Sequence, residues 1–315
     1  MNDPTLRQLH IFCAVARLGS FTQAAEELEL GQPAASQHVA ALERTLGVPL
    51  VQRAGRGTRL TEAGRLVAEY GERVLRLIEQ LHAGLDGLAG LTTGRLVVGA
   101  GQTPGDYILP IVLGEFQRRY PGVSVELEIA DTRQVVEWLL RHRYDLGFLG
   151  AQVDQPNLVI EPFVEDRVVL FAVSGHPLSK RAEVRPAEVI EMGLIAREPG
   201  SATRATGEQA LRAAGVEPRY MMELGSNEAV KRAVLAGFGI GMLSIYALEV
   251  ERQATRLQVL RVTGFAGRRM LYIARHSDTP LTAAQSAFLT LARQVAASPL
   301  LRSEDGLALH FPCPG

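Results

Sequence analysis

The sequence predicts two architectures in one chain: a small helical domain with a tight helix-turn-helix, then a larger α/β domain, joined by one long helix. Three observations predict this. Apolar residues recur at three- and four-residue spacing from Leu6 to Leu88. From Arg95 onward, short apolar strands alternate with amphipathic helices, the pattern of a largely parallel sheet. Between the two patterns, Gly84, Gly87, Gly90 and Gly94 dissolve the long helix, and the domain boundary is placed there.

At 315 residues the chain exceeds one compact core, and 47% apolar with 21% charged residues is a globular composition. No apolar run approaches the roughly 20 residues of a bilayer span, and "MNDPTLRQLHIF" lacks the apolar core of an export signal. A cytoplasmic protein with no membrane partner is expected. The net charge of −1 announces no general affinity for nucleic acid, so basicity must be local. Cys13 and Cys313 make neither a disulfide framework nor a metal set, and Cys13 within "IFCAVA" reads as a buried thiol. There is no HExxH, GxSxG or P-loop, and the seven histidines lack clustered acid or thiol partners. No catalytic residue, metal or cofactor is expected.

"LRQLHIFCAVARLG" places Leu6, Leu9, Phe12, Cys13 and Ala16 on one buried face and ends at Gly19. Ser20 caps the next helix, whose Ala24, Ala25 and Leu28 turn inward while Glu26, Glu27 and Glu29 face water. In "LELGQPAASQHVAALERTLG", Gly31 supplies a backbone conformation that other residues disfavour at a helix end, and Pro33 fits the first turn of a new helix. Two helices with so short a connector have helix-turn-helix geometry. Ala35, Val39, Leu42 and Leu46 form the core stripe of the second, which leaves Pro33, Gln37, Ala40 and Arg44 opposite and Ser36 on the flank. Short amide and hydroxyl side chains at a helix N-terminus read base edges in a major groove. A merely solvated face is the alternative, and the sequel favours the first. "VPLVQRAGRGTRLTEAG" and Arg65 gather Arg53, Arg56, Arg59 and Arg65 against Glu62 in a glycine-bent loop suited to a phosphate backbone.

Thr61 then caps a helix on which Leu66, Tyr70, Val74, Leu77, Leu81, Leu85 and Leu88 make one apolar stripe. A stripe that long, with no partner nearby in sequence, predicts pairing with a second copy, and two copies present two reading helices to successive turns of DNA.

The α/β part has strands at "RLVVGA", "VSVELEIA", "DLGFLG", "RVVLFAVS", "LIA", "RYMMEL", "GIGML" and "RMLYIAR". Ligands of such sheets collect beyond the carboxyl ends of strands. There stand "GAGQTPGD", "ADTRQ", "REPGSATR" and "LGSNEAV", each with hydroxyls, amides or free N–H groups at a helix start, where an anion is favoured. Arg197 and Arg204 add positive charge, so a small carboxylate or phosphate is the expected guest. Two alternatives stand beside this reading. Gly99, Gly101 and Gly105, with Asp131, imitate a dinucleotide fingerprint and so an NAD(P)-linked oxidoreductase, although Pro104 and the displaced third glycine weaken the match. A solute-binding protein is opposed by the missing export signal. Trp138 and Leu139 sit at core spacing.

"SFTQAAEELELGQPAASQHVAALERTLGVPLVQR" with "GTRLTEAG", followed by "YPGVSVELE", "DLGFLG", "REPGSATR" and "AVLAGFGIGMLS", resembles the LysR-type transcriptional regulators over residues 5–297. The resemblance implies a winged helix-turn-helix domain at 1–61, otherwise all-α, a linker and dimerisation helix at 62–91, and an α/β effector domain at 92–297. That domain would be two-lobed, similar to type 2 periplasmic binding proteins, with lobe one at 92–163 and 267–297, lobe two at 164–266, and a tail at 298–315. It further implies a homodimer or homotetramer that binds double-stranded DNA under control of a small anionic metabolite held between the lobes. Carried over by position, the DNA-contacting set is Ser20, Thr22, Gln32, Pro33, Ser36 and Gln37, with Arg53, Arg56 and Arg59 on the wing. The effector set is Gln102, Thr103, Ser201, Thr203, Arg204 and Asn227. The family usually has serine where Gly31 and Gly101 stand and arginine where Gln37 stands, which implies an unusual operator preference and an altered first donor in the pocket. "REPGSATR" resembles the branch that governs carbon fixation and related anion metabolism.

Overall fold

A computed structural model describes residues 3–54, 57–88 and 93–298, without the side chains of 53, 54, 57, 79, 80 and 82–88. Arg56, the side chains of Arg53, Leu85 and Leu88, and most of the tail therefore lie outside the described residues. The chain divides into two compact units between Leu88 and Ala89.

In the first unit, α1 (Leu6–Leu18) starts on a capping box between Thr5 and Gln8 and stops at Gly19, whose φ of 63° lies in the left-handed region. Ser20 caps α2 (Phe21–Glu27) by accepting from the Gln23 N–H at 3.3 Å. Next come α3 (Gln32–Leu46), the hairpin strands β1 (Val51–Ala54) and β2 (Gly57–Leu60), and α4 (Glu62–Leu88). Ala24, Ala25, Ala35, Val39 and Leu42 are buried as their spacing predicts. Leu6 is not: it is 46% exposed, and α1 instead buries the consecutive run Ile11 to Val15, because α2, α3 and α4 enclose it on several sides.

The tight turn is built differently from the sequence expectation. Gly31 is extended (φ −74°, ψ 139°) and caps α3 with its backbone alone, while Glu29 takes the left-handed conformation (φ 52°). The Leu30 N–H then donates to the Ala25 carbonyl at 2.8 Å, so the turn is closed by helix-end hydrogen bonds rather than by glycine. Glu43 fixes the exit from α3 by accepting the N–H groups of Leu50 and Val51 at 2.7 and 3.1 Å.

Thr61 caps α4 through the Gly64 N–H at 2.9 Å. Gly64 is required there: a Cβ would lie 2.0 Å from the Leu50 carbonyl oxygen. The helix continues through Gly84 and Gly87, where the sequence predicts a break, and its 27 residues span about 40 Å. Leu66, Tyr70, Val74, Leu77 and Leu81 line it in the open, each more than a third exposed.

The second unit contains β3 (Gly94–Gly101), α5 (Leu109–Arg119), β4 (Val123–Ala130), α6 (Thr132–Leu140), β5 (Leu146–Leu149) and β6 (Leu158–Val173). It continues with α7 (Pro186–Glu191), β7 (Leu194–Arg197), α8 (Ala202–Ala213), β8 (Tyr220–Leu224), α9 (Asn227–Leu235) and β9 (Ile240–Ser244). It ends with α10 (Glu249–Gln253), β10 (Leu257–Val259), β11 (Gly267–His276) and α11 (Ala283–Ala297). The sheet runs β4-β3-β5-β11-β6-β9-β7-β8, with β10 on β6.

This sheet is mixed, which corrects the expectation of a largely parallel one. Its two ends are parallel (β3 with β4 and β5, β7 with β8 and β9), but β6 and β11 form an antiparallel ribbon between them. The fold is therefore two α/β lobes on one shared ribbon. The expected lobe limits at 163/164 and 266/267 fall inside β6 and at the start of β11. Periodicity did not reveal the first half of β6, β10 or the π-helical turn Pro104–Ile108 ahead of α5. Phe288 of α11 packs edge-on against Phe116 and Phe148, and Trp138 is buried against Tyr144, as core spacing predicts.

Candidate DNA-reading face and effector cleft

On α3 the core stripe fixes which residues face outward. Gln32, Pro33, Gln37, Ala40 and Arg44 are exposed and Ser36 is half-buried, with Gln32 Nε2 donating to Ser36 Oγ at 3.0 Å. The helix N-terminus is thus a small polar surface whose unpaired N–H groups carry the positive end of the helix dipole. Thr22 and Arg59 are also exposed, and Ser20 is half-buried with its hydroxyl used in capping. The wing is tied to this surface by the Thr58 N–H, which donates to the Gly19 carbonyl at 3.2 Å. Arg56 and the Arg53 side chain fall outside the described residues.

In the second unit, β3 delivers Gln102 and Thr103 to the seam between the lobes, and the start of α8 delivers Ser201 and Thr203 from the other side. Thr103 and Thr203 are 3% and 5% exposed, with hydroxyls 3.5 Å apart. Both accept a hydrogen bond from one Arg269 nitrogen, Nη2, at 3.0 Å. Arg269 lies on β11 in register with Asp166 on β6, and the two side chains pair at 2.7 Å. Ser244 Oγ and the Arg167 N–H hold the second Asp166 oxygen at 2.6 and 2.7 Å. Arg269 Nη1 is buried without a hydrogen bond, as is Gln102 Oε1. Gly150 faces that nitrogen: a Cβ there would lie 3.9 Å from Nη1, 3.6 Å from Thr132 Oγ1 and 3.1 Å from Ala202 Cβ. The absence of a side chain at 150 leaves a cradle between a buried guanidinium, a threonine hydroxyl and a helix N-terminus, which is the donor set an anion needs.

The other two members of the expected effector set are engaged in contacts of their own. Asn227, 3% exposed, accepts from Arg197 Nη1 at 2.8 Å, while its own Nδ2 is buried without a partner. Asp106 and Tyr107 lie close by; burial pushes both side chains above their ordinary pKa values, against the pull of Lys231 on both and of Arg197 on Asp106. Arg197 is itself paired with Glu198, whose carboxyl is held below its usual range, because Arg197 hydrogen bonds outweigh the effect of burial. Arg204 does not join the cleft donors. Its guanidinium pairs with Glu208 at 2.7 Å and Glu223 at 2.9 Å, caps the Arg197 carbonyl and stacks on Tyr220. Gly99 and Gly105, read as part of a nucleotide fingerprint, are packing positions: a Cβ at 105 would meet Ile129 at 2.8 Å, and Gly99 lies against Trp138.

Residues 6–65 match the bacterial regulatory helix-turn-helix proteins of the lysR family, and residues 89–297 match the LysR substrate binding domain. The chain belongs to the LysR family of transcriptional regulators. Within that family it is similar to the HTH-type transcriptional activator CmpR of a Synechocystis strain, with 38% identity over 92% of this chain and 95% of the relative. It is also similar to the Synechocystis PCC6803 CcmR regulatory domain solved in complex with 2-PG (TM-score 0.60, 30% identity, 65% of this chain and 98% of that one). The fold matches full-length CbnR complexed with its target DNA (TM-score 0.67, 24% identity, 93% of this chain and 100% of that one).

In this LysR-family chain, Arg269, Asp166 and Gly150 join the site without a signal in the local sequence. Arg269 follows another arginine in "GRRMLY", and no local signal tells the two apart. The register of β11 on β6 does, since it sets Arg269 against Asp166 and Arg268 against Arg167. Among the described residues, no group of three or more potential ligands would hold a metal, and no helix is long and apolar enough to cross a membrane.

Proposed function

We propose that this LysR-family regulator binds double-stranded DNA through the exposed N-terminal face of α3 and the wing, and that a small anion held between the lobes controls it. In this reading residues 1–61 bind DNA, 62–91 pair protomers, and 92–297 sense the effector. The observation that carries it is Arg269: one buried guanidinium contacts a hydroxyl from each lobe and keeps Nη1 unpartnered toward the Gly150 cradle. An anion at Nη1 changes the balance between the two lobes, and any shift in arrangement is limited by its preference for one over the other. Gln102, Thr103, Ser201 and Thr203 orient the guest, while Arg204 braces the loop that carries Ser201.

The open apolar stripe on α4 supports pairing of protomers, and we read the assembly as a homodimer or homotetramer. As a regulator that acts on DNA, the protein works in the cytoplasm in this reading, and the cleft performs no catalysis. Calorimetric titration of the full chain with 2-PG, the compound bound to the CcmR domain, tests the cleft. Saturable binding that Arg269→Gln weakens about tenfold or more is expected. Equal binding by both proteins removes Arg269 from the site.

A further inference from the structure

Apart from the cleft, the effector domain has a groove with apolar walls and an incompletely paired polar end. It measures about 780 Å3, within the range of small-molecule sites, about 300–1,000 Å3. Ile111 and Gly114 of α5, Val250 of α10, and Leu291 and Val295 of α11 line its body. Asp106, Lys231 and Glu251 line it as well.

Around those three residues the cations are already engaged. Lys231 is 7% exposed, and its ammonium lies 2.8 Å from Glu251 and 3.1 Å from Glu228. Arg197, the other cation whose charge acts on Asp106, pairs with Glu198 at 2.5 Å. Asp106 itself is exposed and makes no hydrogen bond or ion pair among the described residues. Glu251 accepts from Lys231 through Oε1, and its Oε2 is buried with no hydrogen-bond partner. A buried acceptor without a donor is destabilising until a donor reaches it. Arg118 and Arg119 share Glu115 at 2.6 and 2.8 Å, but they stand about three helical turns from Asp106.

We propose that this groove is a second ligand site, distinct from the cleft, for a small primary amine with an apolar body. The ammonium donates to Glu251 Oε2 and takes Asp106 as its counter-charge, while the body lies along Ile111, Leu291 and Val295. An ammonium brings three donors where a hydroxyl brings one. Glu251 then bridges two cations, as Glu228 already bridges Lys231 and Arg232. Tyr107 and Tyr246 also line the groove, and aromatic faces attract ammonium groups. Lys231 stands one turn after Asn227 on the same face of α9, so the amine acts on the helix that carries an expected effector contact.

The test is ligand-observed NMR titration of the full chain with benzylamine, methylamine and benzyl alcohol at about 0.1 M ionic strength, where the Debye length is about 10 Å. Benzylamine should saturate at the lowest concentration. Methylamine, which lacks the body, and benzyl alcohol, which lacks the charge, should each bind about tenfold more weakly or worse. Asp106→Asn changes an exposed residue, so thermal melting should be unaltered while benzylamine affinity falls about tenfold and benzyl alcohol affinity holds. Gly114→Leu, where an added Cβ meets nothing within 4 Å, should weaken both ring compounds. Arg269→Gln should leave benzylamine binding in place, which separates this site from the cleft. Absence of saturable benzylamine binding overturns the proposal, as does methylamine binding equally well or Asp106→Asn binding benzylamine like the parent. So does a changed sedimenting mass for Gly114→Leu with no benzylamine bound by the parent, because the groove would then be a surface between copies.

Discussion

Arg269 and Asp166 stand opposite one another on antiparallel strands and pair at 2.7 Å, with the carboxylate fully buried. Removing one member of such a pair leaves the other as an uncompensated charge away from water. Arg269→Ala should therefore cost the effector domain about 3–5 kcal/mol in denaturant unfolding. Arg269→Lys keeps the charge but loses the fork that spans Asp166 and the two threonines, so it should retain the fold and lose effector affinity.

Gly150→Ala tests the cradle. The added methyl group meets Ala202 Cβ at 3.1 Å and fills the space facing Arg269 Nη1. We expect effector affinity to fall about tenfold, with DNA affinity of the effector-free protein unchanged in a gel-shift titration. An unaltered effector affinity places the guest elsewhere.

Two substitutions separate reading from anchoring in the first unit. Gln37→Ala should narrow the gap between operator and random DNA by about 1–3 kcal/mol. Arg59→Ala should weaken binding to all sequences and lower the slope of log affinity against log salt by about one. Equal losses on every sequence in both variants contradict the assignment of α3.

Gly64→Ala should destabilise the DNA-binding unit by about 1–3 kcal/mol or more. The new methyl group would be forced into the Leu50 carbonyl, whose residue also receives the Glu43 contact. Thermal unfolding of the unit reports this directly.

Acid stability has an identifiable contributor. Hydrogen bonds from Arg181 and Arg185 pull the Glu188 carboxyl down to about 2. Because its pKa is lower in the folded state, the stabilisation is present above the ordinary carboxylate value and is lost as pH falls from there toward about 2. Glu188→Gln should flatten that part of the stability profile and remain less stable than the parent at pH 7. Identical profiles for the two proteins rule out the contribution.

The helical unit was largely legible because its code is local. Alanine and leucine spacing placed α2 and α3, and Ser20 and Thr61 announced the caps of α2 and α4. Gly31 misled because a glycine at a helix junction reads as a left-handed residue, whereas hydrogen bonding put that strain on Glu29. The α/β half kept its strands but not their directions. Parallel or antiparallel pairing is decided between segments far apart in the chain, so the ribbon, and with it Arg269 and Asp166, could not be read from a window of neighbours. Arg204 shows the converse. Next to a serine-threonine helix start it reads as a ligand contact, and only Glu208, Glu223 and Tyr220, brought in by the fold, reveal its other occupation.

Because β6 and β11 are shared by both lobes, neither lobe can be excised at its expected limits without cutting through β6. The same continuity limits how the lobes could reorient. Two paired strands resist sliding, since every ladder bond would break at once, yet they twist and flex at little expense. We expect effector-driven change in this regulator to be a torsion of one β-ribbon, felt at both ends of the sheet together.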